Sequence, residues 1–144
     1  MRCVDVNLLV YAHRTDVADH EVYRAWLDAA RTDHEPLGLS DLVLSGFLRI
    51  ATHPRIFREP TPLSGALEFT EGLRGSPAAT VVQPGDRHWS IFADLCRAGG
   101  ATGNLVPDAY LAALAIEQGA TWCTADRGFG RFPGLRWEHP LDGQ

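Results

Sequence analysis

The stretch Pro-Asp-Ala-Tyr-Leu-Ala-Ala-Leu-Ala-Ile-Glu-Gln-Gly-Ala-Thr-Trp-Cys-Thr-Ala-Asp at residues 107–126 decides the fold class. Proline is favoured at the first position of a helix and glycine just beyond the last, so Pro107 and Gly119 predict a helix over 107–118. The apolar run at 120–124 is too short for a helix and is typical of a buried strand. A helix that leads directly into a buried strand is a building block of α/β proteins.

The rest of the chain repeats this alternation. Strands are predicted over 2–6, 78–83 and 135–137, and helices over 19–33, 41–53, 62–74 and 86–98. The helix ends are marked by Ser40 as an N-cap, by Pro54, by Gly75 and by the pair Gly99-Gly100. Helices between short apolar strands predict an α/β fold with a central, mostly parallel sheet flanked by helices.

Length and charge limit the possible functions. A chain of 144 residues suits one domain, and we expect a single domain over 1–144. The net charge is −5, from 18 acidic and 13 basic residues, and every basic residue is arginine. The acidic balance disfavours a protein that coats nucleic acid, because its overall field would repel phosphate. The absence of lysine excludes P-loop, Schiff-base and pyridoxal-phosphate chemistry.

The cysteines and the apolar segments indicate the compartment. Cys3, Cys96 and Cys123 are odd in number and widely spaced, which disfavours a disulfide framework or a zinc motif. Asp5 and Asn7 interrupt the N-terminal apolar stretch, which has no signal-peptide pattern. No apolar run reaches about 18 residues, the length that spans a membrane. We therefore expect a reducing compartment, the cytoplasm.

Three acidic residues fall where a parallel sheet brings side chains to one edge. Asp5 lies near the end of the first strand, Asp108 in the first turn of the helix at 107–118, and Asp126 just after the strand at 120–124. Ligands of such sheets bind beyond the carboxyl ends of the strands. Clustered carboxylates repel one another unless a cation neutralises them, and such sites select Mg²⁺ or Mn²⁺. We predict that all three acids bind a metal that activates water towards a phosphodiester.

Each acid taken alone also has a simpler interpretation. Acids commonly stabilise the first turn of a helix, which would account for Asp108. The stretch Asp126-Arg-Gly is typical of a turn. Asp5 is harder to explain in this way because charged residues are disfavoured in apolar strands. The three acids together favour a site.

Two asparagines are candidates for the same edge. Asn7 lies two residues after Asp5, on the same face if the strand continues, and would orient Asp5 or a metal-bound water. Asn104 precedes the helix at 107–118 and is either a plain turn residue or a further polar group at the rim.

A polar stripe on the helix at 41–53 includes Arg49. Asp41, Ser45 and Thr52 share the stripe. The stripe is either a solvated face or the means by which Arg49 reaches the acids or a substrate phosphate.

The histidines and tryptophans are predicted to lie outside the site. The six histidines lack metal-ligand spacing and are expected in surface or loop positions: His13, His20, His34, His53, His88 and His139. The tryptophans lie in periodic apolar segments and are expected in the core rather than on a base-stacking platform: Trp26, Trp89, Trp122 and Trp137. In the helix at 19–33, the helical spacing places Val22, Trp26, Ala29 and Ala30 on the apolar face.

Four segments resemble the VapC toxins, the PIN-domain ribonucleases of type II toxin–antitoxin modules. They are Val-Asp-Val-Asn-Leu-Leu-Val-Tyr-Ala at 4–12, Phe-Leu-Arg-Ile-Ala-Thr-His-Pro-Arg-Ile-Phe at 47–57, Pro-Asp-Ala-Tyr-Leu-Ala-Ala-Leu-Ala at 107–115 and Thr-Ala-Asp-Arg-Gly-Phe-Gly-Arg-Phe-Pro-Gly-Leu at 124–135. The resemblance covers nearly the whole chain and implies a PIN-like three-layer fold. It also implies a Mg²⁺- or Mn²⁺-dependent endoribonuclease, a homodimer and inhibition by a cognate VapB antitoxin.

The resemblance assigns the acids and shows one departure. The family's acids match Asp5, Asp108 and Asp126, with metal binding assigned chiefly to the first two. The family usually has a glutamate where this chain has Gly46. Asp41 lies on another face of the same helix and is not a direct replacement. The missing carboxylate favours a site with one metal ion, or a site completed by Asp126 and water.

Two other functions are compatible with these residues. An aspartate nucleophile after the first strand is typical of haloacid-dehalogenase-like phosphatases, but Asn7 stands where their second acid lies and their lysine is absent. Gly46 is compatible with an inactive member that only binds RNA or the antitoxin. For an active ribonuclease, we expect the contacts to RNA phosphate from Arg49, Arg127 and Arg131.

Overall fold

The computed structural model describes residues 1–143 and has a central sheet whose strands are all parallel. The strands are β1 (Arg2–Val4), β2 (Leu37–Leu39), β3 (Ala79–Val81), β4 (Thr121–Cys123) and β5 (Trp137–Glu138). Their order across the sheet is β3-β2-β1-β4-β5. This confirms the predicted α/β fold with a mostly parallel sheet.

The first four strands are connected by pairs of helices. The helices are α1 (Val6–His13), α2 (His20–Ala30), α3 (Asp41–Ala51), α4 (Leu63–Arg74), α5 (His88–Gly99) and α6 (Leu105–Glu117). A short 3₁₀ turn, Arg127–Arg131, connects β4 to β5. Helix α1 packs on α2 and α3, and α5 packs on α6. The predicted helices from α2 to α6 are confirmed, with ends that differ by up to three residues.

The strand order reverses next to β1. From β1 the chain moves outward to β2 and β3, and it then returns to place β4 on the other side of β1. In open parallel sheets, this reversal opens a crevice beyond the carboxyl ends of the two strands. The crevice here lies after Val4 of β1 and Cys123 of β4, which pair directly in the sheet.

The start of the chain differs from the prediction. The strand predicted over 2–6 ends at Val4, and the helix α1, which was not predicted, begins at Val6. Strand β2 was not predicted either. It contains Gly38, where a Cβ atom would lie only 2.7 Å from the Sγ atom of Cys3 on the neighbouring strand. The close approach of β1 and β2 therefore requires glycine at this position.

Helix α6 begins two residues earlier than predicted. Leu105 is its first residue, so Pro107 is the third helical residue rather than the first. Proline is tolerated there because the first N–H groups of a helix have no intrahelical partner. Gly119 follows the helix with a φ of 63°, in the left-handed region expected for a residue just beyond a helix end.

Some predicted burial is wrong. The buried residues of α2 are Tyr23, Leu27 and Ala30, while Val22 and Ala29 are exposed. On α5, His88 is buried, and its Nε2 atom lies 3.0 Å from the backbone oxygen of Tyr110. Trp89 follows it on the next face of the helix and is 71% exposed. His88 is therefore a core residue and Trp89 a surface residue, the reverse of the prediction.

Disulfides and membrane-spanning helices were not expected, and both can be examined in residues 1–143. Cys3, Cys96 and Cys123 are free thiols, and the first and last of them are buried. Within residues 1–143, no helix has the length and apolar character needed to cross a membrane.

Candidate active site

Asp5 is the residue at which β1 becomes α1. Its extended backbone makes it the N-cap of the helix, and its Oδ1 atom accepts a hydrogen bond of 2.7 Å from the N–H group of Val6. A capping aspartate of this kind satisfies an otherwise unpaired helix N–H group. The residue is only 6% exposed. Asp5 is therefore a buried acid at a strand-to-helix junction rather than a strand residue.

Two side chains hold the other oxygen of Asp5. The Oγ1 atom of Thr124 donates a hydrogen bond of 2.6 Å to Oδ2, and the Nδ2 atom of Asn7 donates one of 3.3 Å. Asn7 also donates to Thr124 Oγ1 at 3.2 Å and accepts the N–H group of Ala125 at 3.2 Å. Asn7 thus contacts Asp5 as expected, but it does so from the first turn of α1, not from a continued strand.

Thr124 is a site residue that was not predicted. It follows β4 directly and is completely buried. Besides donating to Asp5, its hydroxyl accepts the backbone N–H group of Asp126 at 3.0 Å. A buried hydroxyl needs partners, so a threonine between a buried strand and an acid was the available signal. Thr124 connects the ends of β1 and β4.

Asp108 and Asp126 lie around the same crevice. Asp126 is exposed and caps the 3₁₀ turn, with Oδ1 accepting the N–H group of Gly128 at 2.8 Å. Its simpler interpretation as a turn residue is therefore correct as local structure. Asp108 is half-buried in the first turn of α6. Asn104, the N-cap of α6, is exposed, and its side chain makes no capping hydrogen bond.

Burial and neighbouring carboxylates raise the pKa values of Asp5 and Asp108. Burial is the largest cause that raises the pKa of Asp5, to about 6, and the charges of Asp108 and Asp126 add to it. The hydrogen bonds from Thr124 and Val6 act in the opposite direction. Burial and the charge of Asp126 also raise the pKa of Asp108, while Arg131 lowers it. The site therefore favours either a proton or a cation.

The acids do not form a complete ligand cage by themselves. Among residues 1–143, no group of three or more His, Cys, Asp or Glu side chains is gathered closely enough to hold a metal ion. Asp5 and Asp108 nevertheless line one cavity of about 340 Å³. Mg²⁺ commonly takes only one or two carboxylates and keeps several waters, so this donor set fits such an ion.

Helix α3 forms another wall of this cavity, through Ser45, Gly46 and Arg49. A Cβ atom at Gly46 would lie 3.0 Å from the Cγ2 atom of Val6, so a larger side chain there would require Val6 to move. Asp41 instead forms an ion pair with Arg74 of α4. Asp41 therefore does not supply the carboxylate that Gly46 lacks.

The three arginines expected to contact phosphate differ in their surroundings. Arg127 forms an ion pair with Asp142, with two hydrogen bonds of 2.7 and 3.1 Å. Arg131 donates from Nε to the backbone oxygen of Gly128 at 2.9 Å. Arg49 is exposed and lines the same cavity as Asp5 and Asp108. Of the three, Arg49 is therefore the one whose guanidinium is unpaired within residues 1–143.

Comparison with known proteins gives consistent matches over the whole chain. The family model described as PIN domain matches residues 2–135. The chain is 53% identical to Ribonuclease VapC43 of Mycobacterium tuberculosis over 144 residues, which covers 100% of this chain and 98% of the relative. It is 37% identical to Ribonuclease VapC25 of the same organism, over 97% of this chain and 99% of the relative.

Solved structures show the same fold. VapBC2 from Rickettsia felis, bound to a DNA fragment from its promoter, is similar with a TM-score of 0.71 and 18% identity, covering 96% of this chain and 97% of that one. VapC20 of Mycobacterium tuberculosis, described as a sarcin–ricin loop cleaving toxin, is similar with a TM-score of 0.65 and 18% identity, covering 94% of this chain and 99% of that one.

Proposed function

The chain belongs to the VapC family of PIN-domain ribonucleases, and from this we propose that it is the RNA-cleaving toxin of a type II toxin–antitoxin module. One observation carries the proposal to specific residues. Asp5, Asp108 and Asp126 surround the crevice where the strand order reverses, and burial, together with the charge of another of the three, raises the pKa of each of the first two. This is the position at which parallel sheets bind their ligands.

We propose Mg²⁺ as the cofactor, with Mn²⁺ as an alternative, held directly by Asp5 and Asp108, with Asp126 and water completing the acidic cluster. The mutual repulsion of these carboxylates is what a cation relieves. When bound, such an ion supplies an activated water and neutralises charge on the scissile phosphate. Because Gly46 provides no carboxylate, the proposal is for one ion rather than two.

The chain's own residues hold this site in position. Both oxygens of Asp5 accept hydrogen bonds, so the carboxylate is already oriented before a ligand binds. Asn7 and Thr124 act as positioning residues for Asp5. Arg49 lines the same cavity as Asp5 and Asp108, and there its guanidinium would contact the substrate phosphate.

Partners and organisation follow from the same family. We propose a cognate VapB antitoxin, an RNA substrate and a homodimer, with residues 1–144 forming one PIN domain in the cytoplasm. Near-complete mutual coverage with Ribonuclease VapC43 supports the domain assignment. The fold shared with VapBC2 from Rickettsia felis supports the antitoxin.

The test is RNA end-mapping with conservative variants. Asp5→Asn retains an N-cap for Val6, and Asp108→Asn retains the size of the side chain. We expect each to reduce cleavage by about a thousandfold or more, because metal-assisted water activation is lost. EDTA should abolish cleavage by the native protein, and added Mg²⁺ or Mn²⁺ should restore it. Asp28→Asn, which removes an exposed carboxylate of α2, is the matched control.

Two results would overturn this proposal. One is native-like cleavage by Asp5→Asn, and the other is cleavage that EDTA does not affect. An aspartyl-phosphate mechanism is disfavoured because both oxygens of Asp5 already accept hydrogen bonds, which makes either one a weaker nucleophile.

A second candidate function, binding of RNA or the antitoxin without cleavage, is favoured by Gly46. Absence of heat on Mn²⁺ titration, together with unchanged RNA binding in Asp5→Asn, would support that function instead.

A further inference from the structure

We propose that the segment 49–58, called the arginine segment below, binds the RNA strand beside the scissile phosphate. Its free arginines would contact backbone phosphates, and the adjoining apolar cavity would receive one unstacked base. This inference rests on the proposed function and specifies which surface takes the substrate. Four observations carry it.

The first observation is a group of unpaired arginines. Arg49, Arg55 and Arg58 are exposed, and their guanidinium groups have no hydrogen bond or ion pair within residues 1–143. The other arginines all donate side-chain hydrogen bonds in that range, and they are Arg2, Arg14, Arg24, Arg31, Arg74, Arg87, Arg97, Arg127, Arg131 and Arg136. The three unpaired arginines thus all lie within residues 49–58, a segment that contains no acidic residue.

The second observation is an apolar cavity of about 310 Å³ beside these arginines. Its walls include Tyr11, Ile56 and Phe57, and the last two stand between Arg55 and Arg58 in the chain. Single-stranded RNA is typically bound by aromatic side chains that stack on bases and by cations that contact the backbone. The arginine segment combines both kinds of contact.

The third observation is that the apolar cavity, called the base cavity below, adjoins the cavity lined by Asp5 and Asp108, called the acidic cavity below. Ile50 lines both of them. Asn7 lines the base cavity and donates a hydrogen bond to Asp5. A nucleotide in the base cavity would therefore be next to the phosphate that lies over the acids.

The fourth observation is that Phe57 is held firmly. The guanidinium of Arg14 lies 4.0 Å from the centroid of the Phe57 ring. Arg14 is only 8% exposed, and it is fixed by Asp16 and by the backbone oxygen of Glu59, at 2.6 and 2.7 Å. A ring held in this way needs little further ordering when a base stacks on it.

The charge distribution favours RNA over an apolar peptide as the occupant. An apolar peptide side chain would fill the base cavity, but it would leave Arg49, Arg55 and Arg58 without partners. The planar fork of arginine matches the two oxygens of a phosphate. A strand of RNA satisfies the cavity and the cations together.

The main test measures the salt dependence of RNA binding. The probe is a fluorescein-labelled single-stranded RNA of mixed sequence, about 12 nucleotides long, bound in EDTA so that it stays intact. In the double variant Arg55→Gln/Arg58→Gln, we expect the slope of log Kd against log salt to fall by about 1.4, since each lost phosphate contact on a single strand contributes about 0.7. We also expect Kd at low salt to rise about tenfold.

The matched control is Arg24→Gln/Arg97→Gln. It makes the same change in net charge at two exposed arginines that form surface pairs with Asp28 and Asp94. We expect its slope and Kd to stay at the native values. An equal loss in both double variants would mean that only net charge matters and would overturn the inference.

The base cavity is tested by Phe57→Leu, with Trp89→Leu as a control at an exposed aromatic elsewhere. We expect Phe57→Leu to raise KM for RNA about tenfold with kcat nearly unchanged, because one stacked base is lost. End-mapping should also show weaker preference at the nucleotide beside the cut. Unchanged KM and unchanged preference in a folded Phe57→Leu variant would contradict the base cavity.

The outcomes separate this inference from the function on which it rests. A native protein that cleaves no RNA would refute the proposed function. Native cleavage combined with native-like binding by Arg55→Gln/Arg58→Gln would refute only the RNA path. If that double variant instead binds RNA normally but no longer binds the antitoxin, the surface is a protein-docking site and the inference is wrong.

Discussion

The acidic cavity and the arginine segment adjoin each other but are built in opposite ways. In the acidic cavity, Asp5 is 6% exposed and both of its oxygens accept hydrogen bonds. In the arginine segment, Arg55 and Arg58 are exposed, and their side chains have no partner within residues 1–143. One region is fixed before a ligand arrives, whereas the charges of the other remain available.

The difference follows from the sign and the spacing of the charges. Carboxylates that repel one another stay close only if the fold holds them, and here hydrogen bonds from Thr124, Asn7 and Val6 do so. Arginines that bind phosphate do so more readily when they are exposed and unpaired, because an internal ion pair would compete with the substrate. What must be rigid in the arginine segment is its connection to the fold, which Arg14 provides.

Removing that connection should have the largest effect on stability. Arg14→Met keeps an unbranched side chain but loses the bonds to Asp16, to the Glu59 carbonyl and to Thr61. We expect the free energy of unfolding to fall by about 2–4 kcal/mol, because the charged hydrogen bonds of the buried Arg14 are lost and the contact with Phe57 changes. Urea unfolding measures this loss.

Hydrogen exchange on the same variant shows where the loss occurs. Faster exchange should be concentrated in residues 52–62, with Asp5 and its neighbours little affected. Arg24→Met, at an exposed pair on α2, is the control and should change the free energy of unfolding by less than about 1 kcal/mol. Uniform acceleration of exchange over the whole chain would contradict the separation of the two regions.

Thr124 tests the rigidity of the acidic cavity. Thr124→Val preserves shape but removes the hydroxyl that donates to Asp5 and accepts from Asp126. We expect kcat for RNA cleavage to fall about 10- to 100-fold with KM nearly unchanged, since the carboxylate is displaced while the RNA contacts remain. Thr124→Ser retains the hydroxyl and should recover most of the activity. Equal activity in the valine and serine variants would show that Thr124 has only a packing role.

Much of the fold was predictable because its signals are local. Ser40 caps α3 as predicted, with Oγ accepting the N–H group of Leu42 at 3.2 Å. Gly75 and Gly119 follow α4 and α6 as expected. Helix α1 was missed because residues 8–12 are a short, continuous apolar run, and such a run does not distinguish a short helix from a strand. Strand β2 has only three residues and little pattern to read.

The site was predictable in composition but not in its connections. The positions of Asp5, Asp108 and Asp126 followed from where strands and helices end. The link through Thr124 spans 119 residues of sequence to Asp5, so only the pairing of β1 with β4 reveals it. The partners of Arg127 and of Arg49 likewise depend on tertiary packing. No periodic pattern indicates that Asp142 pairs with Arg127 or that Arg49 has no partner within residues 1–143.

The smallest effect concerns the stability cost of the acidic cavity. The pKa of Asp5 is raised from 3.8 to about 6, so the folded state binds this proton more tightly than the unfolded state does. The resulting stabilisation is complete below about pH 4 and is lost as the pH rises through about 6. At neutral pH, the buried charge of Asp5 therefore lowers the free energy of unfolding of the metal-free protein, and Asp5→Asn removes this charge.

Asp5→Asn should accordingly stabilise the metal-free protein at pH 7.5. We expect a gain of about 1–2 kcal/mol in the free energy of unfolding, less than the full linkage value because the charged hydrogen bond from Thr124 is weakened. The gain should disappear at about pH 4, where the native carboxyl is protonated. Urea unfolding at both pH values measures it, with the exposed Asp28→Asn as a control that should show no such pH dependence. A variant less stable than the native protein at pH 7.5 would mean that the hydrogen bonds of Asp5 outweigh its burial. Ionised Asp5 would then increase the free energy of unfolding, as Arg14 does in the arginine segment, and would not reduce it.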